Sequence, residues 1–336
     1  MSHQNVLNLH CEKQIIVIVK NKKSIMFLIN PKSGVQKRKN VLQVIEKNID
    51  TDIYDVHIER TQYAGHATEL ARNAAERGFD AVVAVGGDGT VNEVGRALVH
   101  TKTAMGVIPC GSGNGFARHL GIPIEINKAV AFINKALPVS IDYGKINGNP
   151  FFCACGVGFD ALVSNDFAKG NQRGMLSYVQ KTLKDWVTYK PETYTIETEY
   201  SKDRIKAFVI ACGNASQYGN NAYIAPYASM RDNLLTVSIM FPFTPLDVPA
   251  VVTHLFTNKL SNSGYTVAFN TPWVKIIRKK AGPAHYDGEP CEMDAEIFIE
   301  TVPAGINVLA APGWNGTCEP LPLYRQFFDV VAGNVR

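Results

Sequence analysis

"VAVGGDGTVNEVGRAL" spans Val83–Leu98. An apolar run stops at three closely spaced glycines, and helical spacing resumes behind them, which is a strand–turn–helix pattern. Gly86, Gly87 and Gly89 let the backbone approach a ligand closely and adopt positive φ. A helix is predicted to start near Thr90, and its free N–H groups and positive dipole end favour a phosphate. No lysine completes a Walker-type loop. Asp88 has no adjacent cation, so its expected partner is a metal ion, a water or a substrate proton. Thr90 would cap the helix or bind a phosphate oxygen. Asn92 and Glu93 fall on the first turn, with Glu93 in reach of a ribose hydroxyl or a water. By itself the stretch also fits a plain connection with a capping threonine.

Working outward, "SIMFLINP", "DIYDVHIER", "DAVVAV" and "TAMGVIP" read as strands. "VLQVIEKNI", "GHATELARNAAERG", "TVNEVGRALVH" and "NKAVAFINKAL" read as helices between them. Strands alternating with helices imply a parallel α/β sheet. After Leu137 the texture changes. "VSIDYGKINGNPFF" suggests a hairpin turning at Asn-Gly. "TYTIETEY", "IKAFVIACGNA", "LLTVSIMF", "PWVKIIRKK" and "EIFIETVP" are short β-type runs. "MLSYVQKTLKDWVTY" and "LDVPAVVTHLFTNKL" are helix-like exceptions that shape a lipid pocket or cover the sheet. The expected organisation is an extension over 1–22, an α/β nucleotide-binding domain over 23–137 and a β-rich domain over 138–312. A tail over 313–336 would pack back on the first domain.

The 336 residues are 46% hydrophobic and 19% charged, which is globular composition with room for two domains. A net charge of +4 is too weak to argue for nucleic acid, and it suits a nucleotide ligand or an anionic membrane surface. The seven cysteines form no CxxC pair and read as reduced thiols in a cytoplasmic protein. The apolar run in "QIIVIVKNKKS" falls short of the roughly 7–15 residues of a signal peptide and the roughly 20 of a membrane span. The basic runs "KNKK", "KSGVQKRK" and "IIRKK" are solvated faces or contacts to anionic membrane.

Two further loops follow predicted strands. "INPKSG" (Ile29–Gly34) ends the first, and "PCGSGNGFARHLGIP" (Pro109–Pro123) ends the fourth. The latter is spaced G-x-G-x-G and misses the dinucleotide form. In an open parallel sheet the strand ends form one crevice, so three such loops at one rim make a ligand site. "NPKSG", Thr61 with Gly65, His66 and Ala67, "GGDGTVNEV" and "PCGSGNGFARHLGIP" resemble, in order and spacing, the diacylglycerol kinase catalytic-domain family. That family includes bacterial soluble lipid kinases and sphingosine kinases. The resemblance runs over about residues 24–312 and includes "YDGEP" (Tyr286–Pro290). GGDGT by itself is shared with NAD kinases and phosphofructokinases.

The resemblance implies a phosphofructokinase- or NAD kinase-like α/β domain joined to a mainly antiparallel β-sandwich. It implies ATP held by Asn30, Pro31, Lys32, Ser33, Gly34, Thr61, Gly86, Gly87, Asp88, Gly89, Thr90, Val91, Asn92, Glu93, Gly111, Ser112 and Asn114. It implies a lipid hydroxyl as acceptor, a cytoplasmic enzyme touching the membrane peripherally, no nucleic-acid partner, and room for a homodimer. Where many bacterial members carry Asp after the asparagine of this motif, Gly115 stands here, which leaves the lipid open between diacylglycerol-like and long-chain-base types.

In the family the D-G-E element supplies the base that accepts the lipid hydroxyl proton, here Asp287 or Glu289. Both would point the same way if the stretch is extended, and by itself the fragment also fits an Asp-Gly turn in a hairpin. Phosphoryl transfer needs Mg²⁺. "APYASMRDNLLTVSIM" resembles the family's magnesium segment, which assigns Ser229, Asp232 and Leu234 as ligands and a water bridge to Asp88. The usual Asp-Gly is Asp232–Asn233 here, and asparagine tolerates the left-handed turn. Asp160, within "FFCACGVGFDALV", resembles an aspartate near the substrate head group, and a turn role fits it as well. His66 and His119 read as phosphate contacts or helix packing. The rival readings are a soluble NAD kinase-type enzyme and a non-catalytic nucleotide- or lipid-binding regulator.

Overall fold

The computed structural model describes residues 22–33, 41–169 and 189–318. The helix expected in "MLSYVQKTLKDWVTY" lies almost wholly outside them, as do Gly34, the extension over 1–21 and the tail from 319. Four apolar strands, β1 (Lys23–Ile29), β2 (Tyr54–Arg60), β3 (Ala81–Gly86) and β4 (Ala104–Pro109), pair in parallel in the order β2-β1-β3-β4. β3 and β4 are buried at every position, as expected for strands covered on both faces. Helices α1 (Val41–Asn48), α2 (His66–Glu76), α3 (Asp88–Leu98), α4 (Gly115–His119) and α5 (Ile126–Ile133) accompany this sheet. Gly78, at φ +78°, closes α2 where the sequence places its stop.

The second half adds β5 (Leu137–Ile146) and β6 (Asn149–Phe151), turning at Asn147–Gly148 with positive φ at both residues, the Asn-Gly hairpin read from sequence. There follow β7 (Ala154–Gly158), α6 (Phe159–Lys169), β8 (Glu192–Glu197), β9 (Lys202–Ala207), β10 (Val209–Gly213), β11 (Leu235–Met240) and α7 (Val248–Phe256). The chain closes with β12 (Thr266–Thr271), β13 (Trp273–Ile277), β14 (Gly282–Tyr286), β15 (Glu289–Met293) and β16 (Glu296–Ala310). One antiparallel sheet runs β12-β11-β10-β7-β14-β15. The other face of the sandwich is formed by β13, β8, β9 and part of β16. Ile146, Val157, Ile210, Val237, Val274 and Ile299 fill the core between these sheets.

β16 joins the halves. It pairs antiparallel with β13 and β5 and, at Val308↔Met105, parallel with β4, so the parallel sheet continues into the sandwich. Its register shifts between Val302 and Ile306, where Ala304 takes φ +47° and donates its N–H to Asp142 Oδ1 at 2.8 Å. The first core accordingly includes Ile141, Tyr143, Ile306 and Val308 from the later elements.

Candidate active site

The three expected loops meet at the C-terminal ends of β1, β3 and β4. Asn30 Nδ2 donates to Thr90 Oγ1 at 2.9 Å, and the Lys32 N–H returns to Asn30 Oδ1 at 2.9 Å. The turn after β1 is thus tied to the first turn of α3. Thr61 is buried beside it and donates its N–H to Ile29 O at 3.0 Å. α3 begins at Asp88 with Gly87 as its cap, two residues before the expected Thr90. Thr90 serves Asn30 rather than capping the helix.

Two glycine contacts explain the composition of the opening stretch. A Cβ on Gly111 would lie 2.6 Å from Gly87 Cα, so the loops after β3 and β4 touch backbone to backbone. A Cβ on Gly95 would lie 2.6 Å from the Phe152 ring, so α3 rests directly on the start of the sandwich. Asn114, at φ +52°, closes its own loop with hydrogen bonds to the N–H and carbonyl of Gly111 at 2.9 and 2.8 Å. Ser112 is exposed at the tip of that loop.

Asp88 accepts the backbone N–H groups of Asn114, Gly115 and Phe116, at the start of α4. Among the described residues its buried Oδ1 has no hydrogen-bond partner. Burial, with the negative charge of Asp287 nearby, pushes the carboxyl up to about 6, against the pull of the three N–H groups. Glu93 Oε2 accepts the Ala67 N–H at 3.1 Å, which directs it to the start of α2.

From the other half, the β14–β15 hairpin enters the same space. Of the two sequence readings of this stretch, extended chain or Asp-Gly hairpin turn, the turn is the one found: Asp287 and Gly288 take φ +48° and +80° between β14 and β15. Asp-Gly is a preferred pair for such a turn, and this preference overrides strand alternation. Asp287 and Glu289 therefore do not share one direction. Asp287 Oδ1 accepts Cys153 N at 2.7 Å and Ala154 N at 3.3 Å; Oδ2 accepts Phe152 N at 2.9 Å and Asn92 Nδ2 at 2.7 Å. Burial raises its carboxyl while these donors pull the other way. Glu289 makes no hydrogen bond among the described residues, and its Oε1 would lie 3.5 Å from a Cβ added to Gly89. Burial raises its carboxyl, Arg96 lowers it, and Asp287 and Glu93 raise it again.

Asp160 opens α6, which packs along β14 and β15. Its Oδ2 accepts Tyr218 Oη–H at 2.6 Å and lies 2.9 Å from His285 Nε2. Tyr218 in turn lies against the third nucleotide loop, its carbonyl 3.0 Å from a Cβ placed on Gly115. His119 is fully buried, with Ser216 N donating to Nδ1 at 3.0 Å and Nε2 lying 3.0 Å from Gly316 O. Burial drops it to about 4, so it is a neutral internal tie, and the expectation of phosphate contact or surface packing is corrected. His66 Nδ1 accepts the Gln62 N–H at 3.1 Å.

The segment holding Ser229, Asp232 and Leu234 forms a turn in which Asn233 takes φ +63°, the left-handed geometry expected of it. Leu234 N donates to Asp232 Oδ1 at 3.1 Å, and Asn233 N to Asp142 Oδ2 at 2.8 Å. Burial and the charge of Asp142 raise the Asp232 carboxyl. Two carboxylates with backbone oxygens suit a hard divalent cation. Among the described residues no group of three or more His, Cys, Asp or Glu could hold a metal by side chains alone.

The sequence reading missed Arg96, Tyr218, His285 and the N–H groups of residues 152–154. Arg96 had a signal: it stands four residues after Asn92 on one helix face, and its Nη2 donates to Asn92 Oδ1. The N–H groups had none, because backbone donors are invisible in side-chain patterns.

The profile of the diacylglycerol kinase catalytic domain matches residues 24–146, and that of the YegS C-terminal NAD kinase beta sandwich-like domain matches residues 153–310. A Chromohalobacter salexigens protein that carries the name of a YegS-like lipid kinase is 32% identical over 259 residues, which are 75% of this chain and 82% of that one. A Bacillus subtilis diacylglycerol kinase is 30% identical over 270 residues, 78% of this chain and 88% of that one. The crystal structure of a diacylglycerol kinase from Bacillus anthracis matches with a TM-score of 0.68 at 21% identity, over 87% of this chain and 97% of that one, a likeness of fold.

Proposed function

The chain belongs to the diacylglycerol kinase catalytic-domain family, and we propose that it transfers the γ-phosphate of ATP to a hydroxyl of a diacylglycerol-like or long-chain-base lipid. The observation that carries this reading is a pair of carboxylates with unused capacity. Asp88 Oδ1, from the nucleotide side, and Glu289, from the sandwich side, stand at the same glycine turn.

An alcohol is a weak nucleophile, and a carboxylate within hydrogen-bond reach orients it and takes its proton as the new bond forms. Glu289 is the proposed acceptor of that proton, because its oxygens are uncommitted. Asp287 is the proposed anchor, because all its strong acceptor positions are used in holding the turn. The loops carrying Asn30, Thr61, Gly86–Asn92, Gly111, Ser112 and Asn114 would bind the nucleotide, with backbone N–H groups facing phosphate. Asp160 would orient the lipid head group.

A magnesium ion would neutralise phosphate charge, and the turn of Ser229, Asp232 and Leu234, near Asp142, fits one. Asp88 Oδ1 would hold a water or cation ligand. Among the described residues no helix is long and apolar enough to cross a membrane, and we propose peripheral contact with the bilayer that holds the substrate.

Labelled ATP offered with diacylglycerol, phosphatidylglycerol, sphinganine, ceramide and NAD tests the reading. Phosphorylation of one of the lipids supports it, and turnover of NAD alone overturns it. Glu289→Gln should lower kcat by roughly 10²–10⁴-fold, whereas full activity in that variant removes Glu289 as base.

A further inference from the structure

Arg96 is the one basic residue of α3. Its Nη2 donates to Asn92 Oδ1, its guanidinium carbon stands 6.0 Å from the centroid of the Tyr286 ring, and its Nε is buried without an acceptor. The Asn92 amide is therefore fixed at both ends. Because Oδ1 faces the guanidinium, Nδ2 faces Asp287, to which it donates at 2.7 Å. A flipped amide would set its oxygen against the carboxylate and its NH₂ against the guanidinium, losing both charge-assisted bonds. The same cation lies over Tyr286, the last residue of β14 before the turn. One side chain of the nucleotide half thus reaches Tyr286, Asp287 through Asn92, and the field around Glu289.

We infer that Arg96 is the positioning residue of the base: it orients the amide that anchors the Asp287 turn, and it sets a positive charge against Tyr286, at the end of the hairpin that carries Glu289. This rests on Glu289 as the proton acceptor.

The surroundings of Glu289 make the charge necessary. Glu93 acts on it from α3, and Asp287 from the turn. From α6, Asp160 is already engaged by Tyr218 and His285. Arg96 is the cation that opposes this negative set, and it draws Glu289 down where burial, Asp287 and Glu93 push it up. A base must be ionised to accept a proton. Removing the cation should therefore move the acid limb of the pH profile to higher pH.

The test is the pH dependence of kcat/KM for the full-length protein with labelled ATP and its best lipid in mixed micelles. The variants are Arg96→Gln, Arg96→Lys, Glu289→Gln and Arg96→Gln with Glu289→Gln, with melting temperatures measured in parallel. Arg96→Gln keeps a donor for Asn92 and loses the charge. It should lose roughly tenfold more kcat/KM at pH 6 than at pH 8.5, with an unchanged KM for ATP. Arg96→Lys should restore the wild-type limb. On the Glu289→Gln background, Arg96→Gln should add no pH-dependent loss. A folded Arg96→Gln protein with the wild-type limb overturns the inference, as does the same limb shift on the Glu289→Gln background. If Arg96→Gln melts below the assay temperature, a limb in Arg96→Lys that differs from wild type overturns the charge role. Full activity in Glu289→Gln would instead overturn the base assignment on which the inference stands.

Discussion

The β3–α3 turn and the β14–β15 turn both deliver an aspartate into one space, and they treat it in opposite ways. The first leaves Asp88 Oδ1 buried and, among the described residues, unpartnered, with three N–H groups drawing on the carboxyl as a whole. The second saturates Asp287 with four donors from two halves of the chain. A saturated buried carboxylate holds geometry, and losing it strands its donors. A buried carboxylate with a spare oxygen costs stability and retains the capacity to bind something. The contrast separates a carboxylate that holds a turn from one with an oxygen left to bind with, although both are aspartates beside glycines.

The contrast breaks most sharply at Asp88. Asp88→Asn keeps an oxygen for the three N–H groups and puts an amide where the unpartnered oxygen was. Lipid phosphorylation should fall by about 10³-fold, the scale of losing a preorganised charge at a reacting phosphate. Stability should go the other way. The folded carboxyl sits at about 6 against its ordinary 3.8, so the folded state holds the proton more tightly than the unfolded chain. Wild-type stability is therefore undiminished below about pH 4, falls as pH rises through the 3.8–6 window, and stays at the lower level above it. Urea denaturation should find Asp88→Asn more stable than wild type by on the order of 1–3 kcal/mol at pH 7.5 and equal to it at pH 4. A variant less stable than wild type at pH 7.5 would remove the contrast.

Asp287→Asn should do the reverse. Whichever way its amide turns, an NH₂ meets backbone N–H groups, and denaturation should show a loss of about 2–4 kcal/mol together with the loss of activity. A smaller step is Gly95→Ala, which drives a methyl group into the Phe152 ring. It should cost about 1–3 kcal/mol in a melt and lower kcat more than the KM for ATP, because the hairpin moves relative to α3. The smallest is Asn30→Ala, which removes one tie to Thr90 and one to Lys32. Stability should drop by about 1 kcal/mol, and ATP binding measured by calorimetry should weaken.

The nucleotide side was legible because its signals are local. Each strand, its glycine loop and the following helix are contiguous, so apolar runs and glycine spacing locate them without knowledge of the rest. Asn147–Gly148 and Asp232–Asn233 were legible for the same reason, since a left-handed turn is chosen by the residues that form it. Asp287 shows how two local rules conflict: alternation would set the carboxylate in an extended chain, the Asp-Gly pair reads as a hairpin turn, and the turn is what forms. What stayed hidden is non-local. The donors at Phe152, Cys153 and Ala154 stand more than a hundred residues from the carboxylate they hold. The tie of His119 to Ser216 and Gly316 likewise depends on chain segments brought together only by the complete fold.

β16 bears on how the enzyme can move. Its fifteen residues bond to β13, β5 and β4 in turn, so one continuous strand belongs to both halves. A wide hinge between the halves would have to break that ladder. Substrate capture by jaw-like closing, of the kind that two domains on a single linker permit, is costly here. Local rearrangement of the loops is the motion the architecture leaves inexpensive. Single-molecule distance measurements between labels on α2 and β9 should therefore change little when nucleotide binds.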